Sequence, residues 1–147
     1  MSSQERLEAH IVSLSDSDNW HDARSEWDLY EIYKSDSLEE CPCGTPIREI
    51  CVLLNHKNGN QTEVGNVCVN KFLKLPSVKL FQSVRYVLEH AGGSFSEELL
   101  EYAHNKRMIN DWELNFYQDI RKKRSLSGKQ KQKKLQINEK ILARISR

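Results

Sequence analysis

Apolar positions recur along this chain with more than one period, and each period predicts a different element. Leu7, Ile11, Val12 and Leu14 give a short amphipathic helix over about residues 3–14, ended by SDSDN at 15–19. Trp20, Ala23 and Trp27 follow at helical spacing, with Asp18 or Asn19 as N-cap. Asp28 to Tyr33 alternates polar and apolar residues and predicts a strand. A second strand is predicted from Ile47 to Asn55, with Ile50-Cys-Val-Leu-Leu54 as its apolar heart. Asn58-Gly59 favours a type I′ hairpin turn, and Gln61 to Val64 returns as the third strand. Gly65-Asn66 ends that strand, and Cys68 to Lys74 begins a helix.

Beyond residue 75 the pattern is helical throughout. Pro76 or Ser77 opens a helix to about His90, with Leu80, Phe81, Val84, Val87 and Leu88 on its apolar face and Gly92-Gly93 as its stop. A short helix capped by Ser94 or Ser96 follows, with Leu99, Leu100 and Tyr102 facing inward. Asn110-Asp-Trp-Glu113 has the spacing of a capping box and opens a helix whose Trp112, Phe116 and Ile120 repeat every fourth residue. Ser127-Gly-Lys-Gln130 is another capping box. It opens the last helix, in which Ile137, Ile141, Ile145, Leu135 and Leu142 make one stripe. The fold class expected is α+β, a small β-hairpin unit packed with a mainly helical C-terminal half. Three regions are expected: 1–40, an acidic lead-in; 41–75, a metal unit; and 76–147, helices ending in a basic hairpin.

Composition sharpens this picture. Only 38% of the 147 residues are hydrophobic and 29% are charged. A core that lean gains from a metal staple or a partner. The start, MSSQERLEAH, has no apolar leader, and no apolar run approaches the roughly 20 residues that span a bilayer. A cytoplasmic protein with no membrane partner is expected. In that compartment clustered cysteines point to metal more than to disulfides.

All four cysteines lie between residues 41 and 68. Cys41-Pro-Cys43-Gly44 puts two thiols on one tight turn, with Gly44 free to take the positive φ that follows a metal knuckle. Cys68 is placed at a helix start, where the macrodipole favours a thiolate. Structural zinc takes four N or S ligands. Cys41, Cys43 and Cys68 are three candidates, Cys51 is the fourth, and His56 is held in reserve because a strand residue needs a local bend to turn inward.

Knuckle, hairpin and helix in this order resemble a treble-clef zinc finger over about 34 residues. The spacing departs from that family, with C-x-C where C-x-x-C is usual and one helical cysteine where two ligands are usual. The pattern C-P-C-G…N…G-N…V-G-N-x-C-V-x-x-F-L also looks like small uncharacterised proteins of bacteria and their phages. The resemblance implies structural Zn²⁺. Treble clefs also host ββα-metal nucleases, which would give His56 and Asn70 catalytic duties. No His-Asp or His-His pair sits on the first hairpin strand, and this ranks third among the function readings. No phosphate-cradling glycine loop, nucleophile elbow or H-E-x-x-H motif is present.

The charge is +1 overall but unevenly spread. Residues 1–50 carry 4 basic and 12 acidic side chains, and residues 121–147 carry 11 and 1. Within 121–134, RKKRSLSGKQKQKK, the basic residues are Arg121, Lys122, Lys123, Arg124, Lys129, Lys131, Lys133 and Lys134. They flank a turn, so they cluster where they can grip phosphates. Cations at a helix start oppose the dipole, which suggests a purpose other than helix stability. The motif E-x-x-F-Y-x-x-I-x-K-x-R-x-L-S-x-K-Q looks like helical hairpins appended to bacterial and phage DNA-processing proteins. The leading expectation is therefore a non-catalytic nucleic-acid-binding accessory protein, with Lys57, Lys71 and Lys74 extending the surface. The alternative is a protein-interaction adaptor of phage or mobile-element type. Its acidic front (Asp16, Asp18, Asp22, Glu26 and Asp28, with Trp20, Trp27, Tyr30 and Tyr33) would meet a basic partner or a second copy. Trp20 and Trp27 are otherwise expected to cover the small metal unit as core.

Overall fold

The computed structural model describes residues 1–71 and 73–147; the helix start expected from Cys68 to Lys74 includes Phe72, which lies outside them. Among the described residues there are seven α-helices and one three-stranded antiparallel sheet, an α+β architecture. The helices are α1 (Ser3–Ser13), α2 (Trp20–Ala23), α3 (Asn66–Asn70), α4 (Ser77–Glu89), α5 (Glu97–Asn105), α6 (Asp111–Arg121) and α7 (Gly128–Ile145). The strands are β1 (Trp27–Glu40), β2 (Pro46–Asn55) and β3 (Gln61–Gly65), in that spatial order. The chain divides into two compact units, Met1–Val78 with Arg147, and Lys79–Ser146.

In the first unit, Ser2 and Glu5 form a capping box on α1, which buries Leu7 and Ile11. Asn19 caps α2 by accepting from the Asp22 N–H. The helix expected to run on to Trp27 stops early. Arg24–Glu26 is a 3₁₀ turn, and Trp27 starts β1 opposite Asn55. Trp27 is buried there, and its indole N–H donates to Ser15 Oγ at 2.8 Å. β1 is also much longer than Asp28–Tyr33. It runs on through serines and acids, with register shifts between Leu29 and Glu31 and between Lys34 and Glu39. Its far half is held from both sides: Glu39 and Glu40 pair with β2, and Arg147 N–H donates to Lys34 O while Asp36 N–H donates to Arg147 O. The Arg147 guanidinium also lies over the Tyr33 ring and pairs with Glu31 at 2.9 Å.

The Asn58-Gly59 turn is not type I′. Only Gly59 has positive φ, whereas that turn needs it at both central residues. A longer loop closes instead by Gly59 N–H to Asn55 O and Asn55 N–H to Asn60 O. Asn58 ties this loop to the front of the chain: its Oδ1 accepts from Asn60 N–H, and its side-chain N–H₂ donates to Leu14 O and Asp16 Oδ1.

Glu26 is the polar centre of this unit. It is fully buried, and its carboxylate accepts from the Asp16 and Ser17 backbone N–H groups and from Asn55 Nδ2. Hydrogen bonds from Ser17 and Asn55 hold its pKa down, from the usual 4.5 to about 2, against a burial that acts the other way. The lowered value means that Glu26 stabilises the fold fully above pH 4.5 and that this contribution fades as pH falls toward 2. Thermal melts of the wild type should therefore lose stability over that interval, and Glu26→Gln should flatten the acid limb while lowering Tm at neutral pH. An unchanged acid limb in Glu26→Gln would refute this role.

The second unit has its own core of Phe81, Val84, Val87, Phe95, Leu99, Leu100, Ala103, Tyr117, Ile120, Ile137 and Ile141. Ser96 caps α5 rather than Ser94. The capping boxes expected at Asn110/Glu113 and Ser127/Gln130 are both present. Leu88 is exposed, unlike the rest of the α4 stripe. On α6 the inward face is shifted by one residue. Glu113, Tyr117 and Ile120 are buried, whereas Trp112 is 58% exposed. The reason is polar satisfaction. Tyr117 Oη accepts from Phe95 N–H at 2.9 Å and donates to Asn138 Oδ1 at 2.7 Å. Glu113 meets the Lys140 ammonium at 2.8 Å and caps Asn110 N–H. Asn138 in turn donates to Gly93 O, fixing the α4–α5 loop.

Candidate functional site

Three cysteines converge in the first unit. The turn after β1 brings Cys41 and Cys43 together, closed by Gly44 N–H to Cys41 O at 2.7 Å and Cys41 N–H to Thr45 O at 2.9 Å. Gly44 has φ +95°, the left-handed conformation that glycine adopts without strain. Cys68 arrives from the other end of the hairpin, on α3 directly after β3. The Sγ atoms of Cys41, Cys43 and Cys68 all lie within 4.8 Å of one another, and all three residues are buried. Cys43 and Cys68 are 3.3 Å apart at sulfur, and all four cysteines are free thiols.

This arrangement could hold a metal ion. With metal–sulfur bonds of about 2.3 Å, sulfurs on a tetrahedron are separated by roughly 3.8 Å. The cluster brackets that spacing, so small side-chain shifts would complete three bonds. The Gly65 N–H also points at Cys41 Sγ, 3.4 Å away, as a donor that would favour a thiolate. A cavity of about 400 Å³ opens beside Cys68, between Thr45, Ile47, Glu49, Asn66 and Lys71.

The thiols are unequal. Burial pushes Cys41 up to about 12 and also raises Cys68. Burial works against Cys43 as well, but the Thr45 hydroxyl and N–H and the neighbouring thiols bring it down to about 7. The helix dipole expected to favour a Cys68 thiolate is outweighed, because α3 has only five residues and its cysteine is buried.

Cys51 does not join the cluster. It sits in mid-β2 opposite Ile32 and Val64, fully buried, with Sγ 3.7 Å from Asn66 Oδ1, and burial raises it to about 11. The bend that would turn it toward the knuckle is absent. His56, the reserve ligand, is at the hairpin loop with Nδ1 2.9 Å from Asp28 Oδ2. Asn70 is committed to structure. Its amide donates to Asn66 and to Ser77 Oγ, and its oxygen accepts from Leu75 N–H. This Asn66–Asn70–Ser77 network, which anchors α3 beside the thiols, has no signature in the hydrophobic pattern.

Gly65 shows how tightly the site is packed. A Cβ there would meet Ile47 Cγ2 at 2.6 Å and Cys68 Sγ at 3.3 Å. Gly65→Ala should cost about 1–3 kcal/mol of stability through overpacking and should loosen metal retention, both readable by thermal melts with and without a chelator. Wild-type melting in both conditions would contradict the close approach.

The basic segment is in the second unit, around the α6–α7 turn. Arg121, Lys122, Lys123, Arg124, Lys129 and Lys131 are exposed, and Lys133 and Lys134 are half-buried. Arg121 faces Glu97 at 3.5 Å, and Lys134 donates to Gly92 O at 3.0 Å. Burial and the nearby Arg121 lower the Lys134 pKa. Lys122, Lys123, Arg124, Lys129 and Lys131 have no ion pair among the described residues. At the front of the chain, by contrast, Glu26, Trp27 and Tyr33 are buried, so they are withdrawn from the acidic surface expected there.

Among the described residues no helix is long and apolar enough to cross a membrane. Compared with protein-family models, with curated proteins and with solved structures, the chain matches none.

Proposed function

We propose that this is a metal-stapled, non-catalytic nucleic-acid-binding protein. Its metal is Zn²⁺, held by Cys41, Cys43 and Cys68 in a treble-clef-like unit; its basic α6–α7 turn grips phosphates. The observation that carries the second half is the group of five exposed cations, Lys122, Lys123, Arg124, Lys129 and Lys131, with no ion pair among the described residues. Unpaired charges concentrated on one turn cost solvation little and repel one another, and a polyanion relieves that repulsion. Lys129 and Lys131 stand in the first turns of α7, which carries no acidic residue in its first turn. The helix gains nothing from them there.

Zinc supplies a crosslink between the two ends of the hairpin. The protein supplies three thiolates, donors aimed at sulfur, and a glycine at each close approach. The acidic-front adaptor reading is weaker, because three of its named contact residues are buried. The nuclease reading is weaker too, because the Asn70 amide is engaged with Asn66, Ser77 and the Leu75 N–H.

The test is fluorescence anisotropy with labelled single- and double-stranded DNA and RNA over a salt series. Binding that weakens steeply as salt rises is expected. Absence of binding at low salt would overturn the phosphate reading.

A further inference from the structure

The one-residue shift of the α6 face leaves an aromatic surface with no structural duty. Trp112 is 58% exposed, and its ring lies parallel to Phe116, with centroids 5.3 Å apart and an 11° interplanar angle. Lys133, from the basic segment, places its ammonium over the same indole at 5.3 Å. A second exposed pair lies at the C-terminal end of α4, where the Tyr86 and His90 rings are stacked at 4.4 Å. Tyr86 lines a cavity of about 460 Å³ together with Lys79, Arg121, Ser94 and Glu98. Each stacked pair is thus within reach of a cation from the 121–134 segment.

We infer that Trp112, backed by Phe116, is a stacking station for an unpaired base of a single-stranded nucleic acid, with Tyr86 as a second station. This rests on the phosphate-gripping reading above and names its substrate class. A parallel stack presents a flat ring that another flat ring can extend, and every base has such a face. A duplex hides those faces between its base pairs, so the station discriminates single strands from duplexes. Charge favours the same occupant. Asp111, next to Trp112, is hydrogen-bonded to His104 at 2.6 Å, Glu113 is buried against Lys140, and the Lys133 ammonium stands over the indole. The cation over the ring belongs to a flexible side chain, which can swing from the indole to a phosphate when a base arrives.

The experiment compares wild type, Trp112→Ala, Trp112→Phe and Tyr86→Ala by anisotropy on an unstructured oligonucleotide and on a duplex of equal length. Melting curves establish that each variant is folded, as expected for exposed positions. Trp112→Ala should weaken single-strand binding about 5- to 160-fold, the usual loss for one stacked base. Trp112→Phe should restore most of it, Tyr86→Ala should weaken it less, and duplex binding should not change. Equal effects on both forms, or none on either, would overturn the stacking station and leave the phosphate grip standing. Absence of wild-type binding to any oligonucleotide at low salt would overturn the underlying reading itself.

Discussion

Cys43→Ser and Cys68→Ser proteins are expected to lose the zinc proposed for the cysteine cluster and to unfold the Met1–Val78 unit under conditions where the wild type is folded. A serine hydroxyl stays protonated at neutral pH and does not replace a thiolate on zinc. The two cluster sulfurs that remain are too few to hold a structural zinc. Metal binding contributes on the order of 10 kcal/mol to small zinc domains, comparable to the roughly 5–15 kcal/mol that holds a whole domain together. A metal in the cluster would matter to this unit. Its aliphatic core is modest, and Glu26, Asn55 and Asn66 are buried polar groups within it. The measurements are zinc per chain by elemental analysis and a urea melt followed by far-UV circular dichroism. Cys51→Ser is the internal control. Its sulfur lies outside the cluster, beside Asn66, so that variant should keep one zinc per chain. A Cys43→Ser protein with full zinc content and an unaltered melt would refute the site. A Cys51→Ser protein without zinc would show that a fourth thiol closes it.

The parts of this fold legible in the sequence are those fixed by local chemistry. The Gly44 turn was readable because a positive φ after paired cysteines admits few residues. The caps at Asn110 and Ser127 were readable because a side chain three residues on completes each box. α7 was readable from isoleucines at 137, 141 and 145, all buried on one face. What escaped is set by partners distant in sequence. Nothing in Lys34–Glu40 alternates like a strand, yet β2 and Arg147 pair with it from either side. Glu26 reads as a surface acid, but two backbone N–H groups and Asn55 make burial of its charge favourable. The α6 face was misread for a related reason. Hydrophobicity ranks Trp112 and Phe116 above Tyr117, but Tyr117 alone meets both a donor at Phe95 and an acceptor at Asn138.

The candidate metal site divides along the same line. Two of its ligands come from a local motif, and the third from a strand end that any antiparallel hairpin returns to its start. Cys51 was indistinguishable from them by residue type. Only its position in mid-strand, between Val52 and Ile50 and opposite Val64, places its sulfur elsewhere.

Neutralising Lys122, Lys123, Arg124, Lys129 and Lys131 together to glutamine should abolish most nucleic-acid binding without unfolding the protein. All five side chains are exposed and have no ion pair among the described residues, so their loss removes no internal ion pair. Deleting the segment would be a poor substitute, because α7 buries Ile137, Ile141 and Ile145, and truncation would expose the core of the second unit. If each cation neutralises one phosphate, the logarithm of single-strand affinity should fall with that of salt with a slope of about −3.5 from these five alone. That slope corresponds to a roughly 100-fold loss of wild-type affinity between about 50 and 200 mM salt. The variant should show a much shallower dependence and weak binding even at low salt. Arg121, Lys133 and Lys134 would supply the remainder, each tempered by its present partner: Glu97, the Trp112 ring and the Gly92 carbonyl. The slope is the decisive quantity, since a misfolded variant would lose affinity for other reasons, whereas a folded variant with the wild-type slope would show that the phosphates are held somewhere other than this turn.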